Sequence, residues 1–249
     1  MTLIISIIFA VIGSIVTVVV LAKILKRIDP ISIVDYVECK GNFREAYLNS
    51  CQTGLLKVPQ QPINTYSNIL YLTGGMFLMF EITSLPTYVF FITTLYLFIG
   101  SSWFHATSSK SAGHLDVSAM YALFTAMLVY SITSLTTLND SIIALLMFII
   151  AVLSAYLLIR RFYKYIIPIL VLLTYMFVII NKLQNNVPQV IDGFIISSFV
   201  LFLLGIGAWL VDKSKFFPNN RWGHAFWHLF SAVAICLLYY SIYSLPNKL

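Results

Sequence analysis

The sequence is poor in charge, in cysteine and in histidine, and each shortage excludes a class of protein. Only 10 % of its 249 residues are charged, against about a quarter in soluble domains, which excludes an ordinary soluble enzyme. The three cysteines, Cys39, Cys51 and Cys236, lack a CxxC spacing and indicate neither a disulfide framework nor a cysteine-based metal site. Four histidines are too few for the histidine-rich di-iron centre of a membrane desaturase.

Apolar residues are abundant instead, at 60 % of the chain with a mean hydropathy of +0.91. Such values are typical of a chain whose solvent is lipid, where one helical crossing takes about 20 apolar residues. Eight apolar windows, each bounded by charge, Pro, Gly or Asn, predict membrane helices. They cover 3–22, 63–80, 86–104, 115–135, 141–159, 165–181, 190–211 and 222–244. We therefore predict an all-α polytopic transmembrane bundle with a seven-helix core and one extra N-terminal transmembrane helix.

The windows divide the chain into three segments. Residues 1–22 predict an N-terminal transmembrane anchor helix, since the amino end carries no positive charge and the apolar run exceeds that of a signal peptide. Residues 23–62 are the only long polar stretch and predict a linker on the membrane surface. Residues 63–249 form the predicted seven-transmembrane core.

The basic residues are distributed unevenly between the two sides of the predicted membrane. Thirteen of the 15 Lys and Arg lie on alternate connections, and two lie on the opposite side. The larger group occupies 23–62, Lys110, 160–164 and 212–221, and the smaller group consists of Lys182 and Lys248. By the positive-inside rule the larger group is cytoplasmic and both chain ends are extracytoplasmic. The net charge of +6 thus reports orientation and predicts no nucleic-acid partner.

Three of the four histidines lie at the cytoplasmic ends of predicted helices. His105 follows the third window, while His224 and His228 open the eighth. A spacing of four places His224 and His228 on one helix face, where two imidazoles can share a metal. Three histidine nitrogens with an open fourth position are the arrangement of catalytic zinc, which lowers the pKa of a bound water toward neutrality. The cluster therefore predicts a zinc site of hydrolytic type near the cytoplasmic face.

The residues that would act beside the metal come from other helices. The run His224-Ala225-Phe226-Trp227-His228 lacks the Glu that serves as base in HExxH zinc proteases. Asp116 is the only acidic residue that lies inside an apolar window near its cytoplasmic end, and an intramembrane carboxylate is costly, so we predict that it is the base. Ser101 lies one turn before His105 and is predicted to stabilise an oxyanion, with a hydrogen bond to a metal ligand as the alternative.

Simpler structural explanations exist for each of these residues. A single buried histidine is more often an interhelical hydrogen-bonding group than a ligand, and a membrane serine often bonds its own i−4 carbonyl. The coincidence of three histidines and a carboxylate at one level favours the metal site. His114 is predicted to be a turn or interface residue. Asn64 is predicted to cap its helix or, with Asn68, to support the metal ligands from behind.

These residues carry a resemblance to the alkaline ceramidases. The matching motifs are Asn64-Thr65-Tyr66-Ser67-Asn68, Gly100-Ser101-Ser102-Trp103-Phe104-His105, Asp116 and His224-Ala225-Phe226-Trp227-His228. The same SxxxH, Asp and HxxxH order occurs in a wider superfamily that includes adiponectin and progestin receptors. The resemblance implies a zinc amidase in which the three histidines bind one zinc, Asp116 activates water and Ser101 stabilises the oxyanion. Its implied substrate is ceramide, cleaved to a sphingoid base and a fatty acid.

The resemblance is weaker at the calcium site of the animal enzymes. Asp35 and Glu38 are similar to two of its acidic ligands, and they are the only candidates for such a site here. Lys40 stands where the family has Asn, and Gln61 replaces a family Glu just before the first core helix. The sequence therefore gives little support to calcium as a second cofactor.

Two other classes of function compete with a lipid amidase. The zinc site can be retained in a receptor-like or transport-like protein, or in a hydrolase of other lipids such as esters. Paired transmembrane histidines also bind haem axially, as in b-type electron carriers.

Overall fold

The computed structural model of the protein describes residues 3–25, 27, 58–158, 166–185, 189–213 and 222–244. Within these ranges the regular structure consists of helices alone. They are α1 (Leu3–Leu25), α2 (Pro62–Ser67), α3 (Ile69–Glu81), α4 (Leu85–Thr107), α5 (Lys110–Thr133), α6 (Asp140–Leu158), α7 (Ile166–Asn185), α8 (Gln189–Lys213) and α9 (Gly223–Tyr243). The predicted all-α polytopic bundle is confirmed.

Seven of the helices in the described ranges, α1 and α4 to α9, are long and apolar enough to cross a membrane. Their bounds lie within a few residues of the predicted windows, except that α5 begins five residues earlier, at Lys110. The chain is therefore a multi-pass membrane protein. The remaining predicted span, 63–80, is present as two consecutive helices, α2 and α3.

The break between α2 and α3 falls at Asn68 and has a local cause. The Ser67 hydroxyl and the Asn68 amide both donate to the backbone carbonyl of Asn64, at 3.0 and 2.9 Å. In an uninterrupted helix that carbonyl would accept the backbone N–H of Asn68, which instead bonds the Tyr66 carbonyl. Polar side chains thus compete with the backbone ladder and interrupt the helix one turn after Asn64.

Close packing of α4 against α5 fixes the relative position of two predicted site residues. A methyl group added at Gly100 would lie only 3.1 Å from the Leu115 carbonyl oxygen and 3.3 Å from the Asp116 Cα. Glycine at this position therefore lets the two backbones approach, as small residues commonly do in membrane bundles. The approach sets Ser101, the next residue, beside Asp116.

The extra N-terminal helix α1 packs against α3. Its buried face is formed by small residues, Ser6, Ala10 and Ser14, and the Thr73 hydroxyl donates to Ser14 Oγ at 2.9 Å. Most of its large apolar side chains point outward. Such a surface suits lipid contact.

Part of the predicted linker 23–62 lies outside the described residues, and with it the calcium-site candidates Asp35 and Glu38. The end of that segment is described. There the backbone N–H groups of Gln60 and Gln61 donate to the carbonyls of Ala106 and His105, at 2.9 and 3.1 Å. These two bonds satisfy carbonyls at the end of α4 and bring Gln61 next to the first histidine.

Candidate metal centre

The three predicted metal ligands lie together at one end of the bundle. His105 is in the last turn of α4, and His224 and His228 are in the first two turns of α9. Their ring centroids are separated by 4.7 Å for His105–His224, 5.2 Å for His105–His228 and 4.7 Å for His224–His228. All three are buried, and each offers a nitrogen within 4.8 Å of the others. The cluster can hold a metal ion.

Gln61 determines the orientation and tautomer of His105. The Gln61 side-chain oxygen lies 2.9 Å from His105 Nδ1 and also accepts from the Asn64 amide at 2.9 Å. Its own amide nitrogen donates to Ser108 Oγ at 3.2 Å. Because a carbonyl oxygen can only accept, His105 Nδ1 carries the proton, which leaves a lone pair on Nε2. An oxygen behind a histidine is the usual way in which proteins orient metal-ligating imidazoles.

Ser67 does the same for His228. Its hydroxyl oxygen lies 2.7 Å from His228 Nδ1, while its single proton is directed to the Asn64 carbonyl at 3.0 Å. With that proton on the Asn64 carbonyl, Ser67 accepts from His228 Nδ1, which then carries the ring proton and leaves a lone pair on Nε2. Asn64 supports both ligands, one through the Gln61 oxygen and the other through its own carbonyl.

The third imidazole completes a donor set that fits a zinc-like cation. His224 Nε2 lies 3.1 Å from His105 Nε2, close to the spacing of about 3.3 Å that follows from Zn–N bonds of about 2.0–2.1 Å in a tetrahedral site. Two lone pairs are aimed at this region by groups that hold the opposite ring nitrogens. Buried lone pairs of this kind are costly unless a proton or a cation occupies the space between them.

The predicted base, Asp116, does not belong to the histidine cluster. The Ser101 side chain lies close enough to the half-buried Asp116 carboxylate to interact with it across the α4–α5 interface. Both side chains are two turns or less from the cytoplasmic ends predicted for their helices. The fourth histidine, His114, is half-buried in the second turn of α5 and lies outside the metal cluster.

The two asparagines differ in what they do. Asn64 does not cap α2, whose N-cap is Gln61, but donates its amide to the Gln61 oxygen. Asn68 reaches the site only through Asn64, whose carbonyl accepts its amide at 2.9 Å. The direct contacts to the ligands, Gln61 and Ser67, were not among the predicted site residues, although both lie within or next to the polar segment that begins the first core helix.

Comparison with protein families and curated sequences finds no match. No protein-family model matches the chain, and no curated sequence matches it significantly. The inference of function therefore depends on the donor atoms themselves. Three converging imidazoles, two of them on successive turns of one helix, suit a single ion better than a haem, whose axial histidines must stand on opposite faces of a wide macrocycle.

Proposed function

We propose that this protein is a zinc-dependent hydrolase of membrane lipid amides, with ceramide as its substrate. The observation that carries the proposal is the orientation of the histidines. His105 and His228 each give their Nδ1 proton to a buried oxygen, and their Nε2 atoms converge with that of His224. Such a set with an open position is the arrangement found in catalytic zinc sites and not in four-ligand structural sites.

The neighbouring residues have the chemistry that amide hydrolysis needs. Zinc bound to the three histidines would polarise the scissile carbonyl and lower the pKa of the attacking water. Asp116 would take the proton of that water and later return it to the leaving amine. Ser101, which lies beside Asp116, would direct its hydroxyl to the oxygen that gains negative charge during attack.

The substrate class is inferred from the lipid that surrounds the helix bundle and from the sequence resemblance. The metal cluster is buried inside a bundle whose outer helices expose large apolar side chains, so a lipid can approach from the bilayer. The motifs shared with the alkaline ceramidases favour an amide, and ceramide among amides. The excess of Lys and Arg on one side favours a site that opens near the cytoplasmic face, with both chain ends extracytoplasmic.

The test is metal analysis combined with a lipid panel. Purified protein should contain about one zinc per chain and release fatty acid from ceramide, with N-acyl amino acids and phospholipids as comparison substrates. A chelator should abolish release, and added zinc should restore it. Activity that survives complete removal of the metal would refute the mechanism. Zinc binding without turnover of any lipid amide or ester would favour a receptor-like protein instead.

A further inference from the structure

Tyr71 on α3 lies against the metal centre and takes no part in the mechanism above. It is buried, and its ring meets that of His228 edge to face with the centroids 5.8 Å apart. Its hydroxyl lies 2.6 Å from the hydroxyl of Ser231, three residues after His228 on α9. The Asp116 carboxylate is close enough to act on the phenol electrostatically. Tyr71 thus borders the ligand cluster and the predicted base together.

The direction of the Tyr71 hydrogen bond follows from its partner. Ser231 has one hydroxyl proton, and that proton is directed to the Trp227 carbonyl at 2.5 Å, with a longer contact of 3.4 Å to the His228 carbonyl. Ser231 Oγ must therefore accept from the Tyr71 hydroxyl. The phenol oxygen keeps its own lone pairs, and no second hydrogen bond to it occurs within the part of the chain that the structure describes. It is an acceptor that has no partner there.

This acceptor lies deeper in the bundle than the ligands. Ser231 is about 4.5 Å further along the α9 axis than His228, since each helical residue rises about 1.5 Å. His224 and His228 lie nearer the N-terminal end of α9. The Tyr71 oxygen is therefore on the interior side of the metal centre, where the body of a membrane lipid would lie.

Two similar pairs elsewhere in the protein show what a purely structural Tyr–Ser bond looks like. Tyr175 bonds Ser198 at 2.6 Å, and Ser198 in turn donates to the Ala234 carbonyl at 2.7 Å. Tyr96 bonds Ser118 at 2.6 Å, and Ser118 donates to the Leu115 carbonyl at 2.8 Å. Interhelical hydrogen bonds of this kind commonly stabilise helix packing in membrane proteins. Only the Tyr71 copy has its ring against one of the three clustered histidines.

We propose that Tyr71 is a specificity-determining residue whose phenol oxygen accepts a hydrogen bond from a donor next to the scissile carbonyl of the substrate. The donor is the amide N–H or the adjacent hydroxyl of an N-acyl amino-alcohol lipid. Where the donor is the N–H, Tyr71 would favour an amide over an ester, which lacks that group. This inference rests on the proposed hydrolase function and adds to it a residue that selects the substrate by this donor.

The test compares wild type, Tyr71→Phe and Tyr175→Phe on three substrates. These are ceramide, N-methyl ceramide, which lacks the N–H, and 3-deoxy ceramide, which lacks the neighbouring hydroxyl. Loss of one neutral hydrogen bond corresponds to about a 3- to 10-fold effect. Tyr71→Phe should lower kcat/KM for ceramide by that factor and should have no effect on the analogue that lacks the donor it contacts. Tyr175→Phe should change kcat/KM of no substrate by more than about twofold.

Zinc content separates a local effect from a folding defect, because Tyr71→Phe should retain the wild-type amount. Ser231→Ala is a second variant; it frees the phenol proton and should lower the preference for the donor-bearing substrate in the same direction. An equal effect of Tyr71→Phe on all three substrates, or no effect on any, overturns the inference while leaving the hydrolase intact. Wild-type protein that contains zinc and cleaves none of the three overturns the function and the inference together.

Discussion

The helices α4, α5 and α9 bury polar groups at both of their ends, and the two ends are organised differently. At the end opposite the histidines, Tyr239 donates to the Thr87 hydroxyl at 2.9 Å, and the Asn181 amide donates to the Ser134 hydroxyl at 2.7 Å. The Tyr239 ring also stacks on Tyr130, with centroids 5.2 Å apart. There the donors and acceptors pair with one another across helix interfaces.

At the histidine end, the Nδ1 atoms of two imidazoles bond oxygens outside the cluster, and their Nε2 atoms point into it. Gln61 and Ser67 take the Nδ1 protons, so the remaining ring nitrogens converge on one another. Burial of polar groups therefore does not itself identify a site in this membrane protein. What distinguishes the histidine end is a set of ring nitrogens that are oriented toward a shared point and can hold a cation there.

The largest effect on zinc binding and hydrolysis is expected when a ligand is removed. His228→Ala should abolish zinc retention and hydrolysis, because two imidazoles cannot hold the ion in a three-nitrogen site. Metal content by elemental analysis and fatty-acid release measure the two effects. His114→Ala is the matched control, since His114 is the one histidine outside the cluster. Equal zinc loss in both variants would contradict the assignment of ligands.

Removal of the predicted base should separate metal binding from turnover. Asp116→Asn keeps the size and hydrogen-bonding capacity of the side chain, so zinc should remain. Turnover should fall by about 10²- to 10⁴-fold, the usual contribution of a positioned general base. Steady-state hydrolysis of ceramide measures it. Full activity in this variant would show that another group takes the proton.

Removal of an orienting oxygen should have an intermediate effect. Gln61→Leu deletes the acceptor behind His105 and should weaken zinc binding by about 10- to 100-fold. Competition with a chromogenic chelator gives the affinity. Ser102→Ala is a suitable control, because the Ser102 hydroxyl bonds the Thr65 carbonyl at 3.2 Å and no imidazole. Unchanged zinc affinity in Gln61→Leu would mean that the His105 orientation is fixed elsewhere.

The smallest effect is expected at the opposite end. Tyr239→Phe removes the hydrogen bond to Thr87 and should lower the free energy of unfolding by about 1 kcal/mol. Thermal or denaturant unfolding in detergent would show this loss. Zinc content and kcat/KM should stay at wild-type values. A change in zinc affinity would show instead that the two ends are energetically coupled.

The helices were predictable because a run of apolar residues is a property of local sequence. The histidine cluster could also be predicted, since the placement of the three histidines at helix ends and the i,i+4 spacing of His224 and His228 can be read from the linear sequence. The contact between Ser67 and His228 joins residues 161 positions apart, and no periodicity encodes it. The position of Tyr71 against His228 could not be predicted either, because a tyrosine in an apolar window is ordinarily part of the core. The break at Asn68 depends on the conformations of the Ser67 and Asn68 side chains, both of which donate to the Asn64 carbonyl, and the sequence does not specify these conformations.

The central claim is that the convergent nitrogens of His105, His224 and His228 hold one catalytic zinc. Zinc content and ceramide hydrolysis of the same purified wild-type sample, measured before and after chelation and after zinc is added back, test this most directly. We expect about one zinc per chain, loss of metal and activity together on chelation, and recovery of both when zinc is added back. Protein that keeps an intact fold but binds no zinc at micromolar concentration, or hydrolysis that is indifferent to the metal, would contradict it.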